Sequence, residues 1–338
     1  MDFDNYYSSY VRELEPDNAK KAEAWSIAIG LQEVDGLKPS KYLLDLAKEH
    51  IDGNITIDEV KDNISRYYEE NDKRKLDECK EADIVSSRIT DLLEHSGFSF
   101  STIELSNIHK ELFKDIYDSE YRTYNISKKE WVLDDDTVIY SSYNMIKDTL
   151  EYDFKEEKNF SYKGLSTDEL INHICGFISD IWQVHPFCEG NTRTVAVFLI
   201  KYLRTFGFYV DNEPFRKNSW YFRNALVRAN YRNHDKNVYE DLSYLKMFIY
   251  NLLTDSNYEL KNRDMHIGNI SKDEYTYEER MIISMIKNNS SIRQEEIASK
   301  LNKSIRTIKN YMGEMQKKGI IERINGKNNG EWIIKVKD

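Results

Sequence analysis

Proline and glycine are scarce in this sequence, at 4 and 13 of 338 residues. Few positions force a helix to stop, so most of the chain is expected to be helical. Cysteine is scarcer still. Cys79, Cys175 and Cys188 lie far apart, which excludes a disulfide framework and implies a reducing compartment. The longest apolar run is "VAVFLI" at 195–200, far short of the ~20 residues that a membrane helix needs. No basic stretch followed by an apolar one opens the sequence, so no secretory signal is expected. A cytoplasmic protein with no membrane partner is expected. Basic charge is also in deficit: the net charge is -11, which disfavours nucleic-acid binding by the chain as a whole.

What is present is a chain that can build cores. It is 40% hydrophobic and 13% aromatic, with 24 tyrosines, which argues against disorder. Its length allows two or three domains. The charge is uneven: residues 281–338 hold 12 Lys/Arg against 6 Asp/Glu, a net of +6, which leaves -17 for residues 1–280. A basic tail on an acidic body suggests a separate module with its own partner.

Three sections emerge, at 1–70, 71–265 and 273–338. In the first, "NAKKAEAWSIAIGLQEV" reads as one helix stopped at Gly36. A second helix follows with Ser40 as its N-cap, and a third is capped near Thr56. In the second section, "LSNIHKELFKDIYD" and "STDELINHICGFISDIWQVH" carry apolar residues at helical spacing. Between them, "NISKKEWVLDDDTVIYSS" has β-branched and aromatic residues around the acidic turn Asp134–Asp136, a hairpin signal. The third section reads helix, helix, helix, hairpin, an order that resembles a winged helix-turn-helix.

The stretch with the densest chemistry is "HPFCEGNTRT", from His185 to Thr194, which runs into a long apolar helix. A loop at a helix start leaves backbone N–H groups free with the helix dipole behind them, and that combination binds anions. Gly190 would let the backbone approach a phosphate. Asn191 would cap the helix or donate its amide. A cation in the first turn opposes the dipole, so Arg193 makes more sense beside an anionic ligand. Glu189 next to a phosphate site suggests a Mg²⁺ ligand, and a neutral His185 would take a proton from an attacking hydroxyl. Each residue alone is commonly a plain turn or core residue; the set fits phosphoryl or nucleotidyl transfer to a hydroxyl. His185 and Cys188 have no partner pair for zinc.

This stretch resembles the Fic family signature, H-x-F-x-D/E-G-N-G-R-x-x-R, at His185, Phe187, Glu189, Gly190, Asn191 and Arg193, with the common Pro186 between. The likeness extends over about 86–265. It takes in "IHKELFKDIYD", the flap segment "RTYNISKKEWVLDDDTVIYSS" and "NSWYFRNALVRANY". The resemblance implies a mainly α fold: a Fic helical core with a β-hairpin flap, a small N-terminal helical domain and a C-terminal winged helix. It implies transfer of AMP from ATP, with Mg²⁺, to a Ser, Thr or Tyr hydroxyl of a target protein or of the chain itself. Carried over, His185 is the general base and Glu189 binds Mg²⁺. Gly190, Asn191 and the backbone at Thr192 form an anion hole, and Arg193 holds the β-phosphate. Tyr221 and Asn224 are candidates for the base pocket. Val132, Thr137, Val138 and Ile139 lie on the flap that docks the target as an added strand. Two departures stand out: Thr192 replaces the second glycine, and Ala196 replaces the last arginine, which in the family grips the γ-phosphate.

The segment "IAIGLQEVDGLKPS" resembles the inhibitory helix of the VbhA-type antitoxin domain, with Asp35 and Gly36 at the Glu-Gly positions and Leu31 at the Ser/Thr position. There the inhibitory glutamate pairs with the arginine that is Ala196 here. A helix C-cap without regulatory duty is the competing reading. In the tail, Arg306 and Lys309 on the third helix and Arg323 and Lys327 on the wing are candidate DNA contacts, with a protein-binding winged helix as the alternative. A homodimer fits a helix-turn-helix reading a palindrome. Three functions therefore stand. One is a protein adenylyltransferase. Another is a DNA-binding regulator whose Fic core senses nucleotide with little turnover. The last is a deAMPylase, or an enzyme that transfers another nucleotide.

Overall fold

The computed structural model describes residues 16–70, 77–118, 120–268, 277–301, 303–317, 319–324 and 330–335. The chain divides into two compact units, Met1–Gly268 and Asn269–Asp338.

The first unit holds helices α1 (Pro16–Gly30), α2 (Lys41–Ile51), α3 (Ile57–Glu70), α4 (Asp77–Glu94) and α5 (Thr102–Phe113), then α6 (Ile146–Asn159), α7 (Thr167–Val184), α8 (Asn191–Thr205), α9 (Glu213–Ala229) and α10 (Ser243–Leu253). Local sequence sets many of the starts. Ser40, Ser101 and Ser166 each accept a hydrogen bond from the backbone N–H three residues on. At Ser166 the Glu169 carboxylate accepts in turn from the cap's own N–H, completing a capping box. The helix expected over 18–34 narrows after Gly30 into a 3-10 turn, Leu31–Asp35, closed by Gly36 at φ 70. Gly30 is required there, because a Cβ would meet the Arg216 Cα at 2.6 Å.

One apolar core runs through this unit. It draws Val184, Val195, Ala196 and Phe198 from the ends of α7 and α8, and Phe215, Phe222 and Phe248 from α9 and α10. It also includes Ala24, Ile27, Ala28 and Leu31 of the first helix and its turn. Each fully buried Leu or Ile contributes about 1.5–3 kcal/mol, so removing residues 1–70 would strip part of the main core and not only a docked neighbour. A smaller cluster joins Trp25 to Leu43, Ala47, Val60 and Ile64 beneath α2 and α3. The Trp25 indole donates to His50 Nδ1 at 3.0 Å, and burial pushes the His50 pKa down to about 4.

The flap differs from the hairpin expected over 125–142. It contains one antiparallel bridge, Glu130↔Asp136, around a 3-10 turn at Trp131–Leu133, and no ladder among the described residues. Asp134 and Asp135 both take positive φ, 56 and 62, and close the turn, while beyond the bridge the Lys128 N–H bonds to the Thr137 hydroxyl and not to a ladder carbonyl. Anchors hold it instead. Arg223 donates to both oxygens of the buried Glu130 carboxylate, at 2.6 and 3.0 Å, and Tyr231 donates to Asp136 at 2.6 Å.

The second unit has α11 (Tyr277–Asn288), α12 (Gln294–Lys300), α13 (Ile305–Lys317) and the antiparallel strands β1 (Ile321–Ile324) and β2 (Glu331–Ile334), paired Ile321↔Ile334 to Ile324↔Glu331. Ile282, Ile286, Ile297, Ile308, Met312, Met315 and Trp332 form its core. The element order is the one expected from the sequence. No described helix in either unit is long and apolar enough to cross a membrane.

Candidate active site

The loop 185–190 spans the C-terminus of α7 and the N-terminus of α8. His185 is the residue that ends α7. Its backbone is left-handed, φ 49 and ψ 60, a conformation that costs a non-glycine residue about 1 kcal/mol or more. Arg122 holds it there. Its guanidinium donates to the carbonyls of His185 (2.8 Å), Val184 (3.2 Å), Tyr124 (2.8 Å) and Ser141, and its backbone N–H donates to the Pro186 carbonyl at 2.9 Å. Arg122 thus satisfies the orphan carbonyls at the end of α7 and ties the flap to the loop.

The His185 side chain is 4% exposed and packs against Tyr140 and edge-on to Trp182. Its Nδ1 lies 3.3 Å from the Trp182 carbonyl. A carbonyl only accepts, so Nδ1 carries the proton and Nε2 keeps the lone pair. Burial, then the nearby Lys128 cation, pushes its pKa well below the ordinary imidazole value. The ring is therefore neutral near pH 7, as a base requires.

Asn191 and Gly190 are used differently from expectation. The Asn191 side chain accepts from Phe187 N–H (3.0 Å) and donates to the Phe187 carbonyl (2.8 Å), so it closes the loop on itself. Gly190 takes φ 75, and a Cβ there would sit 2.5 Å from Phe113 Cζ. The glycine is demanded by the Phe113 ring beneath it. Gly190→Ala is expected to destabilise the fold by about 2–4 kcal/mol, from left-handed strain and overpacking together. Urea denaturation checks this, and a loss below about 1 kcal/mol would contradict it.

Two departures from the signature acquire a structural meaning. The Thr192 hydroxyl accepts from the Trp182 indole N–H at 3.0 Å and so joins the two helices, a bond glycine cannot make. Ala196 is fully buried in the core, where it offers no charge. His109, on α5, supports the loop from below. Its ring stacks on Phe187 at 3.6 Å, and Nε2 donates to the Glu189 carbonyl at 3.1 Å. Burial pushes its pKa down to about 4, so it stays a neutral donor.

Glu189 of the loop and Arg193 in the first turn of α8 both have partners. Half of the Glu189 side chain is exposed, and its carboxylate accepts from Lys128 of the flap at 2.8 Å. Arg193 is 1% exposed. Its guanidinium meets Asp35 at 2.8 Å, Glu81 at 2.6 Å and the Gln32 amide oxygen at 3.1 Å, and it lies 4.7 Å over the Phe113 ring. Its Nε is buried without a partner among the described residues. Asp35, matched to Ala196 by the sequence pattern, pairs instead with the preceding arginine. Tyr117 donates to the second Glu81 oxygen at 2.7 Å and fixes that carboxylate.

Other candidates lie elsewhere. Tyr221 sits in the apolar core, and Asn224 donates to Asn262 at 2.7 Å. The Tyr221 hydroxyl and the Asn224 side-chain oxygen are buried without partners among the described residues, so neither bonds to the loop there. On the flap, Val132 and Val138 are buried, Thr137 is half-buried and accepts from Lys128 N–H, and Ile139 is 79% exposed. Arg306 and Lys309 are exposed on α13, Arg323 lies 5.1 Å over Trp332, and Lys327 is outside the described residues. Sequence reasoning misses Arg122, His109, Lys128, Gln32 and Glu81. The first two stand inside recognisable motifs, "YRTYN" and "IHKELF"; nothing local marks the others.

Residues 99–203 match the Fic/DOC family, and residues 279–322 match a winged helix-turn-helix DNA-binding family. The chain carries a Fic/DOC domain followed by a winged helix-turn-helix. The protein adenylyltransferase VbhT of Bartonella schoenbuchensis is similar, 24% identical over 141 residues. That stretch is 40% of this chain and 27% of VbhT, so the chain matches about a quarter of that relative's length. A crystal structure of a Fic family protein from Desulfovibrio desulfuricans G20 aligns over 99% of this chain and 93% of its own, with a TM-score of 0.48 and 13% identity.

Proposed function

We propose that the first unit is a protein adenylyltransferase. It would transfer AMP from Mg²⁺-bound ATP to a hydroxyl of a target protein or of itself, and its N-terminal segment would restrain it. The observation that carries this is His185: a buried, neutral imidazole of fixed tautomer at the mouth of a helix N-terminus. Nε2 accepts the proton of the attacking hydroxyl. The free N–H groups at the start of α8 face the phosphates, and Arg193, once released, adds charge-assisted bonds. The residues fit a magnesium ion only jointly with a nucleotide. Glu189 is one half-exposed carboxylate, and no cluster of three His, Cys, Asp or Glu exists among the described residues; Mg²⁺ is commonly held by one or two carboxylates plus phosphate oxygens. Bound there, it would neutralise charge developing on the phosphates.

Asp35 and Gly36 take regulatory roles in this scheme. Gly36 ends the 3-10 turn that presents Asp35 to Arg193. Ile139, exposed on the flap, is the target-facing residue, while Val132 and Val138 hold the flap to the core. Incubating a host lysate with α-phosphate-labelled ATP and the full chain tests the activity. A labelled protein that vanishes with the His185 variant supports it; identical labelling with and without the His185 side chain contradicts it.

The second unit is proposed to bind DNA through Arg306 and Lys309. Replacing both by alanine should make the dependence of log affinity on log salt shallower by about 1 for each phosphate no longer neutralised. A fluorescence-anisotropy titration at several salt concentrations reads the slope, and an unchanged slope would remove these two from the interface. The alternative of a nucleotide-sensing regulator with little turnover draws on Ala196, which leaves the loop one cation short.

A further inference from the structure

We propose that Lys128 is a phosphate-contacting residue of the nucleotide site, standing in for the cation that Ala196 does not provide. The inference rests on the nucleotide reading above. Four cations among the described residues surround the loop. Arg122 is spent on carbonyl oxygens, and Arg223 is bonded to Glu130 through both of its terminal nitrogens. Arg193 is shared between Asp35 and Glu81. Lys128 differs in kind: its partner is Glu189, the carboxylate that a divalent cation would occupy. A divalent cation held by Glu189 would take that carboxylate from Lys128 and leave the ammonium available to phosphate oxygens beside it. Lys128 would then supply the positive charge that a polyphosphate needs.

The placement of Lys128 is built and not incidental. Its backbone N–H donates to Thr137 Oγ1 at 3.2 Å. The flap that carries it is pinned by the Glu130–Arg223 pair just beyond it and by the Arg122 bonds on its other side. A point charge on a flexible four-carbon stem can change partner from carboxylate to phosphate without movement of the backbone.

The test compares two probes, AMP and the non-cleavable α,β-methylene analogue of ATP, on the full-length chain. Their affinities are measured by calorimetry with Mg²⁺ for the wild type, Lys128→Gln and Lys128→Arg, each also combined with Asp35→Asn. Lys128→Gln is expected to weaken the analogue about tenfold and to leave AMP within about twofold, and Lys128→Arg to restore most of the difference. Unchanged or tighter binding of the analogue by Lys128→Gln would overturn the proposal, since Lys128 would then only compete with the metal. Equal weakening of AMP would also overturn it, because that marks a general structural effect. If no protein binds either probe, the nucleotide reading falls and this proposal with it.

Discussion

Replacing His185 by alanine is expected to lower the rate of adenylyl transfer by about 10²–10⁴-fold, the usual loss when a positioned general base is removed. Nucleotide affinity should hold, because the groups proposed to face the phosphates are the α8 N–H groups, Arg193 and Lys128, with Glu189 for the metal, and none of these bonds to the imidazole. The loop should hold too. His185 keeps its left-handed backbone through Arg122, and the loop is closed by Asn191 and supported by His109 independently of the ring. Burial depresses the pKa of the base and keeps it neutral below the range in which a free imidazole charges, so wild-type activity should persist to lower pH than a free imidazole would allow. Single-turnover rates across pH, with calorimetric affinity beside them, separate the effects. A His185→Ala protein that loses binding and rate in equal measure would contradict the role of base.

Asp35→Asn is expected to have the opposite sign. Arg193 is enclosed by two carboxylates and an amide, so a phosphate must displace at least one of them. Removing the Asp35 charge leaves Glu81, which Tyr117 fixes on α4, and lowers the competition for the guanidinium without abandoning it. Nucleotide affinity should rise by roughly tenfold, within the range typical of coupled sites. Arg193→Ala in the same background should cancel the gain. If Asp35→Asn leaves affinity unchanged, the Asp35–Arg193 pair is a structural staple between the N-terminal segment and α8 and regulates nothing. The substitution is preferable to deleting residues 1–70, whose Ile27 and Leu31 belong to the main core.

How much of this is legible in the sequence follows from distance along the chain. The loop is readable because its chemistry is contiguous, from His185 to Arg193. The helix starts at Ser40 and Thr56 are readable because a cap bonds to its own next turn. The Arg193 clamp is not, because Gln32 lies 161 residues away in sequence and nothing near it announces a partner. Asp35 stands out as a candidate, yet its true partner depends on which arginine the fold brings near. Thr192 looks like a defect until the Trp182 indole is found bonded to it. The flap reads more like a hairpin than it is. Its β-branched and aromatic residues flank an acidic turn as a hairpin's would, but the pairing stops at one bridge, and the Lys128 N–H beyond it goes to the Thr137 side chain. Tyr221 and Asn224 rest on resemblance alone, and α9 turns Tyr221 into the core.

The most direct test of the central claim is the intact mass of the full-length Asp35→Asn protein after incubation with ATP and Mg²⁺, beside the same protein carrying His185→Ala. The proposal predicts a gain of one adenylyl group on the first and none on the second. No gain on either, with ATP or any other nucleoside triphosphate and with a lysate supplied as target, would contradict adenylyl transfer and leave a nucleotide-sensing DNA-binding protein.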